Sequence, residues 1–317
     1  RGTPRLHFRD SGGDPDRARA AVDDLATLHQ VVAIVGPVSG DAATAAAARA
    51  QELGVPLLSL SPDGQLVATG EHIFRIFSGP AEEAAALVRA ARGRGATRFA
   101  SLHPAHGYGR AMTEALHRAA DEAGAEWVGA VSYDPAATSF GEPIDQLKAL
   151  DFDALLVPDA GRRIALVAPA LAAKGLWSGT APEGGRAIQL LLPSPGVNDA
   201  LVRNAARYIE GALFATQFHA PTATGESAAF VATFQDRFGG EPDAYAAAAY
   251  DGFRLIARAA ATTRRGDEVD RGRVSRWLGQ SVGFATVGSS GGLGASRGPA
   301  RLPRVLEFRN GAFTPLR

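Results

Sequence analysis

Six short apolar runs punctuate the chain: LHF from Leu6, VVAIV from Val31, PLLSL from Pro56, FASLH from Phe99, ALLVP from Ala154 and IQLLL from Ile188. They are brief and do not alternate strictly. That suits strands covered on both faces, as in a parallel sheet. Helical patterns lie between them. Asp14 and Pro15 mark the N-cap and first position of a helix over 16–28. The Ala-rich stretch 41–53 stops at Gly54, with Pro56 just beyond. Further helices are expected near 82–92, 110–123, 162–173, 199–207, 227–238, 245–262 and 271–278. Strand and helix in alternation argue for an open α/β architecture.

The pattern shifts near Phe218. A nearly all-helical stretch runs from there to about Gln280. A Gly-rich segment follows, VGSSGGLGASRG, which reads as a flexible hairpin loop. The end, RVLEFRNGAFTPL, reads as a hairpin turning at Asn310-Gly311. With 317 residues, two domains are expected. No single cut gives two tidy halves, so the chain is expected to cross between lobes more than once.

Charge and composition exclude several function classes. Basic and acidic residues balance at 33 each, and no basic stripe stands out, which argues against a nucleic-acid surface. The chain has no cysteine, so thiolate catalysis, disulfides and Cys-ligated zinc are excluded. No run approaches the roughly 18–20 apolar residues of a membrane span. The sequence begins at Arg1 without a methionine, so the lack of a visible signal peptide excludes nothing.

The turn GPVSGD at Gly36–Asp41 opens a helix. Free N–H groups there can bind an anion, or the turn can be a plain helix cap. It matches neither GxGxxG nor the P-loop pattern, so no nucleotide cofactor is implied. GSSGG at 288–292 formally fits GxSxG, but no helix follows Gly294 and no His follows His219, so a serine elbow fails. His103 and His106 in HPAH lack an acidic partner at metal-ligand spacing. Asp10, Asp14 and Asp16 in DSGGDPD fail the calcium-loop pattern and serve to cap the next helix. Tyr108 in HGYG follows a strand and precedes a helix. It is either a site residue or a half-buried packing ring.

In order and spacing, several stretches resemble a known family. VVAIVGPVSGDAATAAAARAQELGVPLLSLSP looks like the first-lobe core of type I periplasmic binding proteins, the group containing the branched-chain amino-acid receptors. IFRIFSGPAEEAAALVRAA resembles the crossing into their second lobe. The stretch from RFASLHPAHGYGR to LLVPD, residues 98–159, follows the second-lobe pattern. YIEGALFATQF resembles the return crossing, and DAYAAAAYDGFRLIARA a long first-lobe helix. Within the group the chain is most similar to the penicillin-binding-protein activators, which stimulate a peptidoglycan synthase.

The resemblance implies a two-lobed Venus-flytrap form, each lobe an open, mainly parallel sheet flanked by helices. Lobe 1 would span 1–76 plus 218–280 and lobe 2 would span 77–217 plus 281–317, with a ligand cleft between them. The family starts with a strand and helix ahead of RLHFRDSGG, so residues preceding Arg1 or another molecule would fill the first-strand slot. The ligand site it implies draws on Ser39, Gly40 and Asp41 at the first strand-end turn and Ser61, Asp63, Gly64 and Gln65 at the next. Tyr108 and the Asp159–Gly161 turn would face them from the second lobe. Two departures argue against an α-amino-acid ligand. Asp41 and Asp63 would repel its carboxylate, and Pro193-Ser194-Pro195 stands where the receptors' acidic anchor for the ammonium is expected.

The function implied is non-enzymatic binding of a small polar molecule outside the cytoplasm, in the periplasm, with a lipid anchor left open. The protein would be either the solute-binding component of an ABC-type transporter or a penicillin-binding-protein-activator-like protein. Its membrane partner would accordingly be a permease or a peptidoglycan synthase. The alternative is an α/β enzyme using the cleft, but no nucleophile–base pair, metal set or cofactor fingerprint supports it. A lactose-repressor-type regulator would need an N-terminal helix-turn-helix, which is absent.

Overall fold

The computed structural model describes residues 4–197, 199–266 and 268–316. The chain divides into two compact units. Unit 1 comprises 1–79 and 217–302, and unit 2 comprises 80–216 and 303–317. Crossings therefore fall after residues 79, 216 and 302. The third lies well beyond the expected position near Gln280, because residues 281–302 pack into unit 1.

In unit 1, Asp14 caps α1 (Pro15–Asp23), which continues as a π-turn through Leu28. Strand β1 (Ile34–Val35), α2 (Gly40–Glu52), β2 (Leu57–Ser59) and β3 (Ile73–Arg75) follow, and the strands pair in parallel in the order β1-β2-β3. The LHF run at Leu6 forms no strand, and Leu6 and Phe8 are 59% and 81% exposed. Alanines of α2 bury against α1 and β2 at nearly zero exposure, a close approach that their small side chains permit.

After the insertion of unit 2, one chain segment, 217–302, completes unit 1. It carries α8 (Glu226–Phe238), α9 (Ala244–Thr263) and α10 (Arg271–Leu278), with α9 and α10 packing on Leu58, Phe74 and Ile76. Unit 2 holds α3 (Pro80–Arg92), β4 (Arg98–Pro104), α4 (Gly107–Glu122), β5 (Glu126–Tyr133), α5 (Gly141–Lys148), β6 (Ala154–Leu156), α6 (Gly161–Ala173), β7 (Leu176–Ser178), β8 (Arg186–Leu192), α7 (Asp199–Ala205), β9 (Leu213–Thr216), β10 (Arg304–Arg309) and β11 (Ala312–Pro315). Its sheet runs β11-β10-β9-β8-β6-β4-β5, with β7 beside β8. It is parallel apart from the antiparallel β9-β10-β11 end, where Asn310 and Gly311 both take positive φ in the hairpin turn. Two apolar clusters cover its two faces, one centred on Phe152 and Phe214, the other on Phe99 and Met112.

The Gly-rich segment is no loose surface loop, since residues 287–293 are buried and tied to the rest of unit 1. Asp251 of α9, 1% exposed, accepts hydrogen bonds from Val287 N and Gly288 N at 2.8 Å each. Ser227 Oγ donates to Val287 O at 2.7 Å, and Leu293 is fully buried. At Gly292, φ is +87°, and a Cβ would stand 1.9 Å from Ser281 O. No other residue fits there. Gln217 ties three stretches of unit 1 together. Its Oε1 accepts from Ser78 N at 2.6 Å, its Nε2 donates to Ile76 O at 2.9 Å, and its carbonyl accepts from Ser289 N at 3.0 Å. Among the described residues no helix is long and apolar enough to cross a membrane.

Candidate functional site

Parallel strands release the chain at one edge of their sheet, and the turns there gather side chains from distant parts of the sequence. In unit 1 the turns after β1 and β2 are joined. Leu60 N donates to Pro37 O at 3.1 Å, Gly36 N to Leu58 O at 2.9 Å, and Ser59 Oγ to Pro37 O at 3.4 Å. Ser39 is the exposed N-cap of α2, and its side chain makes no capping bond. Gly40 and Asp41 form the first turn of α2, also exposed.

At the second turn, Ser61 is buried. Its Oγ accepts from Asp63 N at 3.3 Å, and its own N–H donates to Ser59 Oγ at 3.1 Å. Asp63 caps a 3-10 turn over Gly64–Thr69 by accepting from Gln65 N at 2.9 Å. Asp63 therefore has a local partner, while Asp41 has none of this kind. The Gln65 side chain is exposed.

In unit 2, β4 and β6 are adjacent and parallel, so the turns after them also share an edge. His106 caps α4, its Nδ1 accepting from Gly109 N at 3.1 Å. Tyr108, one position before Gly109, is half-buried and packs on the core cluster around Met112. Asp159 accepts from Tyr133 Oη at 2.7 Å through one oxygen and from Ala160 N at 2.7 Å through the other. Gly161 begins α6 and is buried. Burial, reinforced by the hydrogen bond to Asp159, pushes the Tyr133 phenol pKa up, so it stays a proton donor. Arg163 braces the same loop, donating to Pro135 O and Ala137 O at 2.7 and 2.6 Å.

Tyr133 went unread in the sequence, although it closes a strand of the same sheet and so belongs to the same edge. Replacing it with phenylalanine removes the donor to a charged acceptor and is expected to cost about 1.5 kcal/mol. Urea unfolding of Tyr133→Phe against the parent chain measures this. A loss below about 0.5 kcal/mol, the low end for a single hydrogen bond, would show that Asp159 finds an equal partner elsewhere.

A second unread residue is Glu83, in the first turn of α3. Its Oε1 accepts from Ser194 Oγ at 2.6 Å and its Oε2 from Ser194 N at 3.0 Å. An acidic group thus does stand at the Pro193-Ser194-Pro195 turn, but another element supplies it and both its oxygens are occupied. Burial pushes Glu83 up to about 7, against the lowering effect of the two bonds from Ser194. Among the described residues no group of three or more His, Asp or Glu side chains is placed to hold a metal ion. The strand-end turns offer hydroxyl groups, backbone N–H groups and carboxylates, a set suited to hydrogen-bonding a polar solute.

A family model for periplasmic binding proteins matches residues 5–301. No curated protein matches the chain. Among solved structures, a Rhodospirillum rubrum protein provisionally named a branched-chain amino acid ABC transporter is 22% identical, with a TM-score of 0.84 over 98% of this chain and 87% of its own. The branched-chain amino acid transporter substrate-binding protein LivJ of Streptococcus pneumoniae, in complex with isoleucine, is 20% identical with a TM-score of 0.71, covering 98% and 85%. A solute-binding protein of an R. palustris ABC transporter, in complex with benzoate, is 18% identical with a TM-score of 0.70, covering 97% and 82%.

Proposed function

The chain belongs to the periplasmic binding protein family, a family of extracytoplasmic solute-binding proteins, and we propose that it binds a small polar solute lacking an ammonium group for an ABC-type transporter. The strand-end turns, with Ser39, Gly40, Asp41, Ser61, Asp63, Gln65, Tyr108, Asp159 and Gly161, are the proposed contact residues. One observation carries the ligand class. In unit 2 both carboxylate oxygens of Asp159, and both of Glu83, already accept hydrogen bonds from the chain itself, and in unit 1 Asp63 caps its own turn while Asp41 stands exposed to water. An ammonium taken out of water needs a buried carboxylate whose charge is uncommitted, because a buried unpaired charge costs several kcal/mol.

A membrane permease is the proposed partner, and a lipid anchor would hold the protein close to it. In the activator-like form of this reading the partner is a peptidoglycan synthase, and a pull-down from the cell envelope separates the two.

Titration calorimetry with leucine, isoleucine and valine tests the ligand class. None is expected to bind tighter than about 10 μM, a free energy of roughly 7 kcal/mol. Solutes without an amino group, screened by thermal shift, should include at least one that raises the melting temperature. A micromolar or tighter constant for any of the three amino acids would overturn the ammonium-free reading.

A further inference from the structure

Unit 1 carries a cavity of about 250 Å³ at the other end of β3, between that strand's start and α10. His72 and Phe74 line it from the strand, and Ser275 and Arg276 from the helix. Arg297 reaches it from the Gly-rich segment. His72 Nδ1 lies 2.7 Å from Ser275 Oγ, which sets the orientation of both side chains.

The charges in this cavity do not balance. Among the described residues that line it, the one acid is Glu71, whose carboxylate lies 3.9 Å from His72 Nε2. Among the described residues, neither Arg276 nor Arg297 has a carboxylate within 4 Å. The Arg297 side chain donates to Val67 O through one terminal nitrogen, while its Nε is buried without a hydrogen-bond partner. A half-buried guanidinium with its Nε shut off from water and few of its five donors used calls for an acceptor.

The backbone of Arg297 adds an independent argument. Its φ is +57°, the left-handed region, in a stretch where Gly294 and Gly298 stand close by. Glycine would take that conformation without strain, and arginine takes it at a cost. The position is firmly held, since Arg297 N donates to Gly294 O at 2.8 Å and Arg297 O accepts from Arg75 N at 2.9 Å. Strain retained at a fixed, non-glycine residue points to a use for its side chain.

We infer that this cavity is a binding site for a small oxyanion, a carboxylate or a phosphate, held between Arg297 and Arg276 with the Ser275 hydroxyl beside it. The strand-end turns play no part in it, so it stands or falls separately from the solute reading. Occupancy would stabilise unit 1 by mass action, since the site joins three stretches of its chain.

The test is thermal unfolding in chloride buffer at constant ionic strength, titrated with inorganic phosphate in one arm and acetate in the other. The parent chain should show a saturable rise in melting temperature with at least one of them, and the better of the two identifies the anion class. Arg297→Gly keeps the backbone conformation without its strain, and Arg276→Gln changes an exposed side chain on the cavity rim. Each should weaken the apparent affinity at least tenfold. If Arg297→Gly does not fold, Arg276→Gln decides alone. No saturable shift in the parent chain, or an undiminished shift in Arg276→Gln, would overturn the site.

Discussion

Asp251→Ala should be the most damaging single change in unit 1, costing about 2–6 kcal/mol, because it leaves two buried N–H donors without an acceptor. Those donors, Val287 N and Gly288 N, hold the Gly-rich segment against α9. Burial raises the Asp251 carboxyl to about 6, partly offset by these two hydrogen bonds and by Arg254, whose Nη1 lies 3.8 Å away. Asp251→Asn keeps one acceptor oxygen and should lose roughly half as much. The three tryptophans allow a unit-specific reading. Trp277 packs in unit 1 beside Phe284, while Trp127 and Trp177 belong to unit 2. With the latter two changed to phenylalanine, Trp277 fluorescence during urea unfolding reports on unit 1 alone. An alanine variant within 0.5 kcal/mol of its parent (well under the cost of even one stranded donor) would mean that the segment finds other acceptors.

Glu83→Gln should make unit 2 more stable at pH 8, by roughly 3 kcal/mol, and should change it little near pH 4.5. The sign follows from proton linkage. The folded state holds the Glu83 proton up to about pH 7, whereas the unfolded chain releases it near 4.5. Between those values the folded state binds more protons, so stability falls as pH rises. The Glu83 contribution is fully present below about 4.5 and is lost as pH rises through about 7. Glutamine carries no charge to bury. Its carbonyl can accept from Ser194 N, and its amide can donate to Ser194 Oγ. Unfolding of unit 2 at pH 5, 6.5 and 8, read from Trp127 and Trp177 with Trp277 replaced, checks the prediction. Parallel pH profiles for parent and variant would show that Glu83 is charged throughout or well hydrated. Asp251 titrates with the same sign in unit 1, which is why the readout must be confined to one unit.

Local signals made the regular elements legible. Asp14-Pro15 opens α1, Gly54 at φ +62° ends α2, and α10 occupies the expected stretch from Arg271 to Leu278. Asn310-Gly311 turns the final hairpin. Each rests on chemistry within a few residues. The strand-end turns were also legible, since each sits between an apolar run and a helix start.

What could not be read depends on distant partners. LHF spells a strand, but it pairs with no strand among the described residues, and Leu6 and Phe8 stay exposed. The short helix α5, which contains Gly141 and Pro143, is absent from the helices expected of the sequence, and it is the burial of Ile144 and Leu147 that holds it. VGSSGGLGASRG has the composition of a loose loop, and only Asp251, Ser227 and Gln217, well apart in sequence, make it interior. Glu83 and Ser194 are likewise separated by most of unit 2, so no spacing rule could join them.

The three crossings also set a timetable for synthesis. Residues 1–79 emerge first, yet Leu58, Phe74 and Ile76 bury against α9 and α10, which follow only after the whole 80–216 insert. At 5–20 residues per second that wait is on the order of ten seconds. Over the same interval β9 lacks β10, because its partner strand is made only after the second stretch of unit 1. Neither unit can close until the chain has been made past residue 302. The nascent protein therefore presents apolar strands and an open sheet edge while residues 80–302 are being added, a state that keeps a chain threadable but obliges the cell to shield it.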